Sequence, residues 1–188
     1  ELGLPMGAPY WQYRDLIKKH HVQVLSVNFD LYQHLSARIV SVLENECVHV
    51  QVYSIDESFV VPPTFDSVTN LANWAVRVVD RIAEVTCIPV SIGIAPSKTL
   101  AKIAGQATKD RKKAYPDDVG VTVMVSKEIC DYLSNVYIGS VWGIGSRLAH
   151  RMRLGGVKTA LDLICRSDEW VRSQFGIVGL RIKYELSG

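Results

Sequence analysis

Asp56 and Glu57 stand side by side at the end of the run VHVQVYSIDESFVV. Adjacent carboxylates of this kind are hard oxygen donors suited to Mg²⁺, which takes one or two protein carboxylates and leaves its other positions to water and substrate phosphates. Val48, Val50 and Val52 alternate with His49, Gln51 and Tyr53, the period of a half-buried strand, and Ser58–Val61 reads as the returning strand. The acidic pair therefore falls at or beside a hairpin turn. Neighbouring side chains on a straight strand point to opposite faces, whereas a turn rotates the backbone so that both carboxylates can converge on one ion. A solvated acidic turn uses the same residue types. The dipeptide alone leaves both readings open.

A second chemical signal is Val141-Trp142-Gly143-Ile144-Gly145-Ser146-Arg147, which opens a helix that ends at Gly155-Gly156. Glycines one residue apart at a helix N-terminus let backbone amides approach an anion, and the helix dipole adds to the attraction. With Arg147, Arg151 and Arg153 on or beside that helix, the segment has the cadence of a helix-hairpin-helix, which grips DNA backbone without reading sequence. The same glycines also suit a tight crossing of two helices. A weaker echo, FGIVGLRIK, follows.

The elements that must position these groups follow from periodicity. A helix over Tyr10–Lys19 leads into VQVLSVN, a strand pattern, and then into an amphipathic helix over 30–46 with Asp30 as N-cap. After the hairpin come a Pro62-Pro63 loop, a helix over 69–85, the strand PVSIGIA, a basic helix over 98–108 capped by Ser97, a turn over 115–119 and the strand VTVMV. This order predicts an α+β fold, a mixed sheet with helices on one face, over residues 1–125. Over 126–188 the pattern turns to five helical pieces separated by Gly143/Gly145, Gly155/Gly156, Ser167 and Gly176/Gly179, a small all-helical domain.

The chain has 188 residues, 48% hydrophobic, enough for one full domain and the beginning of a second. No stretch approaches the roughly 20 apolar residues that span a bilayer, so a membrane is not an expected partner. Cys47, Cys87, Cys130 and Cys165 lack the C-x-x-C spacings of zinc and redox sites, which predicts buried, reduced thiols and a cytoplasmic setting. The net charge of +2 hides a local excess: Lys98, Lys102, Lys109, Arg111, Lys112 and Lys113 face only Asp110 within 98–113. From Gly143 onward there are eight basic residues against four acids. Such fields attract polyanions, although a basic stretch is also the ordinary face of a solvated helix. Trp74 and Trp170 fall on apolar helix faces and read as core.

Taken together, YSIDE, then SIGIAPSKTLAKIA, then VWGIGSRLAHRMRLGGVKTALDL resemble the Y-family translesion DNA polymerases, and within them the UmuC-type catalytic subunit of bacterial DNA polymerase V. ELGLPMGAPYW, VNFDLYQHLSARIVSVLE and YELSG are similar to the same branch, so the likeness spans the chain. It implies a palm over 1–125 carrying the acidic hairpin and a helical thumb over 126–188 with a helix-hairpin-helix. The implied activity is template-directed transfer of a nucleotide from a dNTP to a primer 3′-hydroxyl across damaged DNA, within DNA repair and the SOS response. The implied cofactor is Mg²⁺, two ions per site, with Asp56 bridging both and Glu57 on the ion that activates the hydroxyl. Lys109, in AKIAGQATK, would reach the triphosphate, and Gly143, Gly145 and Arg147 would hold DNA phosphates. Lys98 and Lys102 would be phosphate-side contacts or scaffold. Primer-template DNA, dNTP, a UmuD-like accessory subunit, a recombinase filament and a sliding clamp are the implied partners.

Members of that family place a further metal-binding aspartate, a ribonucleotide-excluding aromatic and the fingers upstream of the segment beginning here at Glu1, and a little finger after it. The sequence opens without methionine and reads as a piece of a longer protein. Asp30 lies in NFDLYQHLS, at a helix start, and does not replace the missing aspartate. The 188 residues alone are accordingly expected not to polymerise DNA. Two other readings compete. A palm-type nucleotidyl cyclase shares the acidic hairpin, but the diguanylate type carries glycines where this chain has Tyr53-Ser54-Ile55. A non-catalytic DNA-backbone-binding module would leave Asp56 and Glu57 as a solvated turn.

Overall fold

The computed structural model describes residues 2–125 and 129–188. Its elements in chain order are α1 (Tyr10–Lys19), α2 (Phe29–Glu46), β1 (His49–Val52), β2 (Ser58–Val61), α3 (Val68–Thr86), β3 (Ile92–Ile94), α4 (Lys98–Ala114) and β4 (Val121–Val123). The helical part follows as α5 (Ile129–Asn135), a 3₁₀ turn over Ile138–Ser140, α6 (Ser146–Leu154), α7 (Ala160–Ile164) and α8 (Asp168–Ser187). The chain is α+β, as the sequence predicts.

Several local expectations need correction. VQVLSVN forms no strand: Val24, Leu25 and Val27 are exposed, and no strand lies beside them among the described residues to supply the ladder that an extended segment needs. The cap of α2 is Asn28, whose side chain accepts from the Leu31 amide; Asp30 instead lies in the first turn, where its charge favours the helix dipole. The basic helix runs past residue 108 to Ala114 because nothing breaks it before Pro116. Ser126–Glu128, expected to start a helix, lie outside the described residues.

Among the described residues the strands form two pairs rather than one mixed sheet. β1 and β2 are antiparallel, with Val50 opposite Val60 and Gln51 opposite Phe59; β3 and β4 are parallel, joined through α4. Helices also cover both faces of the parallel pair, not one. Ile92, Ile94, Val121 and Val123 pack into a core with Trp74, Ala75, Val78, Val79 and Ile82 of α3. The opposite face carries Gly93 and Thr122, which meet α4: a Cβ on Gly93 would lie 2.2 Å from the Gly105 amide nitrogen, and Thr108 and Thr122 share a 2.6 Å hydrogen bond. A strand alternating large apolar with small residues in this way can be packed from both sides, and only glycine allows so close a helix.

The second core gathers α5 to α8 around Leu133, Ile138, Met152, Val157, Leu163, Val171 and Leu186, all fully buried, and it also takes in Leu100, Ile103, Ala104 and Met124. Each such side chain contributes about 1.5–3 kcal/mol by leaving water. Thr159 and Asp162 form a capping box that starts α7. The two expected pieces DEWVRSQFG and VGLRIKYEL join as α8 across a kink at Gly176, whose φ of 70° suits glycine. Trp74 is core, as expected. All four cysteines are free, but the expectation of buried thiols fails: Cys87, Cys130 and Cys165 are exposed and only Cys47 is half-buried. Cys87 caps α3, Cys130 lies in the first turn of α5 and Cys165 caps α7, all positions at helix ends rather than on core faces. Among the described residues no helix is long and apolar enough to cross a membrane.

Candidate active site

The hairpin has two working faces. Val50 and Val60 turn towards the α3 core. Gln51, Tyr53 and Phe59 turn the other way, towards the start of α4 and the loop before α6. Lys98 donates to the Gln51 side-chain oxygen and lies over the Phe59 ring, 5.2 Å from its centroid. Trp142 packs edge-on against Tyr53 and tilted against Phe59, both with centroids 5.5 Å apart. Aromatic contacts in these geometries add about 0.5–1.5 kcal/mol each beyond their burial.

Between the strands, the Tyr53 and Ser54 amides both donate to the Glu57 carbonyl at 3.0 Å, closing a short loop that holds Asp56 at its tip. Asp56 is exposed. The Ser54 hydroxyl donates to Asp56 Oδ1 at 2.6 Å and accepts from the Asp56 amide at 3.4 Å, so one carboxylate oxygen is oriented by the loop itself. Glu57 is less open. Lys102 Nζ donates to its Oε2 at 2.5 Å, with the two side chains only 27% and 34% exposed, and the ammonium lies 5.7 Å from the centre of the Tyr53 ring.

Helix spacing explains why α4 supplies these cations. Lys98 and Lys102 are four residues apart and Lys109 seven further, so all three share one face, with Lys109 about 10.5 Å beyond Lys102 along the axis. Lys109 is exposed and has no hydrogen bond or ion pair among the described residues. The helix is pinned at both ends. At its start the Ser97 hydroxyl donates to the Glu185 carbonyl, and the Thr99 amide donates to the Glu185 carboxylate at 3.2 Å. At its end Arg111 forks onto Asp118 and also donates to the Val121 carbonyl and the Thr122 hydroxyl. The hydrogen bond from Arg111, followed by that from the Gly120 amide, holds the Asp118 carboxyl below the usual carboxylate range.

The glycine turn reaches the hairpin through Trp142. Gly143 has φ of 88°, a left-handed conformation that L side chains rarely adopt; Gly145, at φ of −75°, is the N-cap of α6 and faces open space. Arg147 is exposed in the first turn of α6, whereas Arg151 donates to the Gln174 carbonyl. Asp56, Glu57, Lys109, Gly143, Gly145 and Arg147 are thus carried on elements that meet around Trp142 and α4, with Lys109 the outlying member. Sequence reading assigned no role to Ser54, Trp142 or Glu185 and left Lys102 as a phosphate-side contact or scaffold. The Ser-x-Asp spacing and the four-residue step from Lys98 to Lys102 were the available signals; the Trp142 and Glu185 contacts are long-range and leave no local pattern.

The chain is similar to known proteins both in sequence and in fold. The family described as impB/mucB/samB matches residues 1–106. MucB of Escherichia coli is 33% identical over 187 residues, covering 99% of this chain and 44% of that protein. UmuC of Salmonella typhimurium is 30% identical over 188 residues, covering 100% of this chain and 44% of its own length. DNA polymerase IV 1 of Halalkalibacterium halodurans is 32% identical over 186 residues, with 99% and 43% covered. The insertion ternary complex of Dbh DNA polymerase superposes with a TM-score of 0.80 at 24% identity, a likeness of fold, over 99% of this chain and 52% of that one. The crystal structure of DinB from Sulfolobus solfataricus gives 0.76 at 25% identity, with the same coverage. This chain therefore spans less than half the length of the curated relatives it matches, and it belongs to the impB/mucB/samB family.

Proposed function

We propose that residues 1–125 are the palm and 126–188 the thumb of a Y-family DNA polymerase that adds nucleotides from dNTPs to a primer 3′-hydroxyl across damaged template. The observation that carries the reading is the acidic tip Asp56-Glu57 set against the lysine face of α4, with the glycine turn held beside it by Trp142.

The donor set suits Mg²⁺: two neighbouring carboxylates, one exposed at a loop tip and oriented by Ser54, with no cluster of three or more His, Cys, Asp or Glu side chains among the described residues. Asp56 and Glu57 would hold it, and bound there it would activate the attacking oxygen and neutralise the triphosphate. Asp56 contributes charge already aimed outward. Lys109, unencumbered and on the same face as Lys102, offers a point charge for a phosphate. Gly143 and Gly145 expose the first amides of α6, and Arg147 adds a cation beside them, which suits a DNA backbone phosphate in a helix-hairpin-helix. The SOS role, the UmuD-like subunit, the recombinase filament and the sliding clamp belong to the same proposal, supported by the family membership alone.

The test is binding of a nonhydrolysable dNTP to the 188-residue chain, with a primer-template duplex present, as Mn²⁺ is titrated. Nucleotide binding should require the metal and vanish in the Asp56→Ala/Glu57→Ala double variant. Metal-independent binding, or binding untouched in that variant, would remove the hairpin from the reaction. Primer extension by these residues alone should stay at background, since two carboxylates without a third hold a metal pair poorly.

A further inference from the structure

The Lys102–Glu57 contact ties the hairpin tip to α4. It joins two side chains 45 positions apart, both about two-thirds covered, at 2.5 Å. The ammonium is steadied by the Tyr53 ring, itself wedged between Phe59 and Trp142. The lysine therefore occupies the space beside a carboxylate that the proposed function assigns to a divalent cation. A divalent cation on the same Oε2 would face the ammonium at close range, and the two positive charges repel.

Resting on that reading, we propose that Lys102 is a tethered counter-cation: it neutralises Glu57 while the site holds no metal, and a divalent cation must displace it to bind. Released, the ammonium stays on the α4 face between Lys98 and Lys109 and points its three donors towards whatever anion accompanies the metal. The same residue therefore opposes binding of a bare ion and favours binding of an ion that arrives with a phosphate. Lys98 does not share the role, because it is engaged with the neutral Gln51 amide and the Phe59 face.

The sign of the effect separates this role from a structural one. Removing a merely structural contact loosens the hairpin and weakens metal binding. Removing a competitor strengthens it. A partly covered ion pair contributes up to about 1 kcal/mol, which corresponds to roughly a fivefold change in affinity.

The experiment measures free Mn²⁺ by its electron paramagnetic resonance signal in titrations of the parent chain, Lys102→Met, Lys102→Arg and the Asp56→Ala/Glu57→Ala variant, each with and without inorganic triphosphate. Lys102→Met should bind bare Mn²⁺ about two- to fivefold more tightly than the parent, and triphosphate should improve its Mn²⁺ affinity less than it improves the parent's. Lys102→Arg, which keeps the charge, should track the parent. Unchanged or weaker Mn²⁺ binding in Lys102→Met, with binding lost in the double carboxylate variant, would overturn the counter-cation role and leave the metal site standing. Full Mn²⁺ affinity in the double carboxylate variant would overturn both.

Discussion

Charge at single residues sets what the site can hold and how the chain responds to pH. Asp118, Asp162 and Asp168 all have carboxyls held below 3.8: the first mainly by Arg111, the second by the Thr159 and Lys158 amides, the third by Lys183 and Tyr184. Their folded values are depressed, so the unfolded chain binds more protons over that range. The stability they contribute is complete above the unfolded value and is lost as pH falls through 3.8 towards the folded ones. The melting temperature measured from pH 5 to pH 3 should therefore fall, and fall less steeply in Asp162→Asn. Cysteine chemistry gives a second residue-level expectation. Burial, and then Glu46, push the Cys47 thiol up to about 11, while Cys87, Cys130 and Cys165 lie in the open. A thiol reagent at pH 8 should label three cysteines quickly and Cys47 slowly; equal rates at all four would contradict the placement of α2 against α3.

Among the elements, α4 does most to bring the chemistry together, and its contact with β3 is the most sensitive point. Gly93→Ala would drive a methyl into the backbone of α4 at Gly105 and Ala101. Overpacking of this kind costs about 1–3 kcal/mol, and a backbone neighbour cannot swing aside. The melting temperature should drop by several degrees, whereas Gly145→Ala, which meets nothing within 4 Å, should leave it nearly unchanged. If Gly145 serves DNA phosphates, the same Gly145→Ala variant should weaken duplex binding at constant stability. Much of this layout was legible in the sequence. The alternation around Val50 and Val60 announced the hairpin, Ser97 announced the start of α4, and the glycine pairs separated the later helices. VQVLSVN misled because alternation records only a willingness to extend, and no neighbouring strand completes it among the described residues. The two-sided packing of β3 was hidden for a related reason: a glycine in a strand says that something comes close, not which helix it is.

For the whole molecule, the shared core decides how the two halves behave. Leu100, Ile103, Ala104 and Met124 lie in one cluster with Leu133, Met152, Leu163 and Leu186, so the proposed thumb shares its interior with α4 of the proposed palm. Heating should give a single transition, coincident by far-ultraviolet circular dichroism and tryptophan emission, and Leu186→Ala, at a cost of about 2–5 kcal/mol, should shift both signals together. Two separated transitions would show that the junction through α4 is weaker than its burial implies. The candidate residues were legible as types, yet their meeting was not, because it depends on contacts of Trp142 and Glu185 with residues nearly half the chain away. With Glu185 fastening its first turn and the Arg111 fork its last, α4 works as a ruler nailed down at both ends. One residue inserted between Lys102 and Lys109 would turn everything beyond it by about 100°, so the two nails could no longer both hold, and the spacing between the Glu57 carboxylate and the Lys109 ammonium would be lost with them.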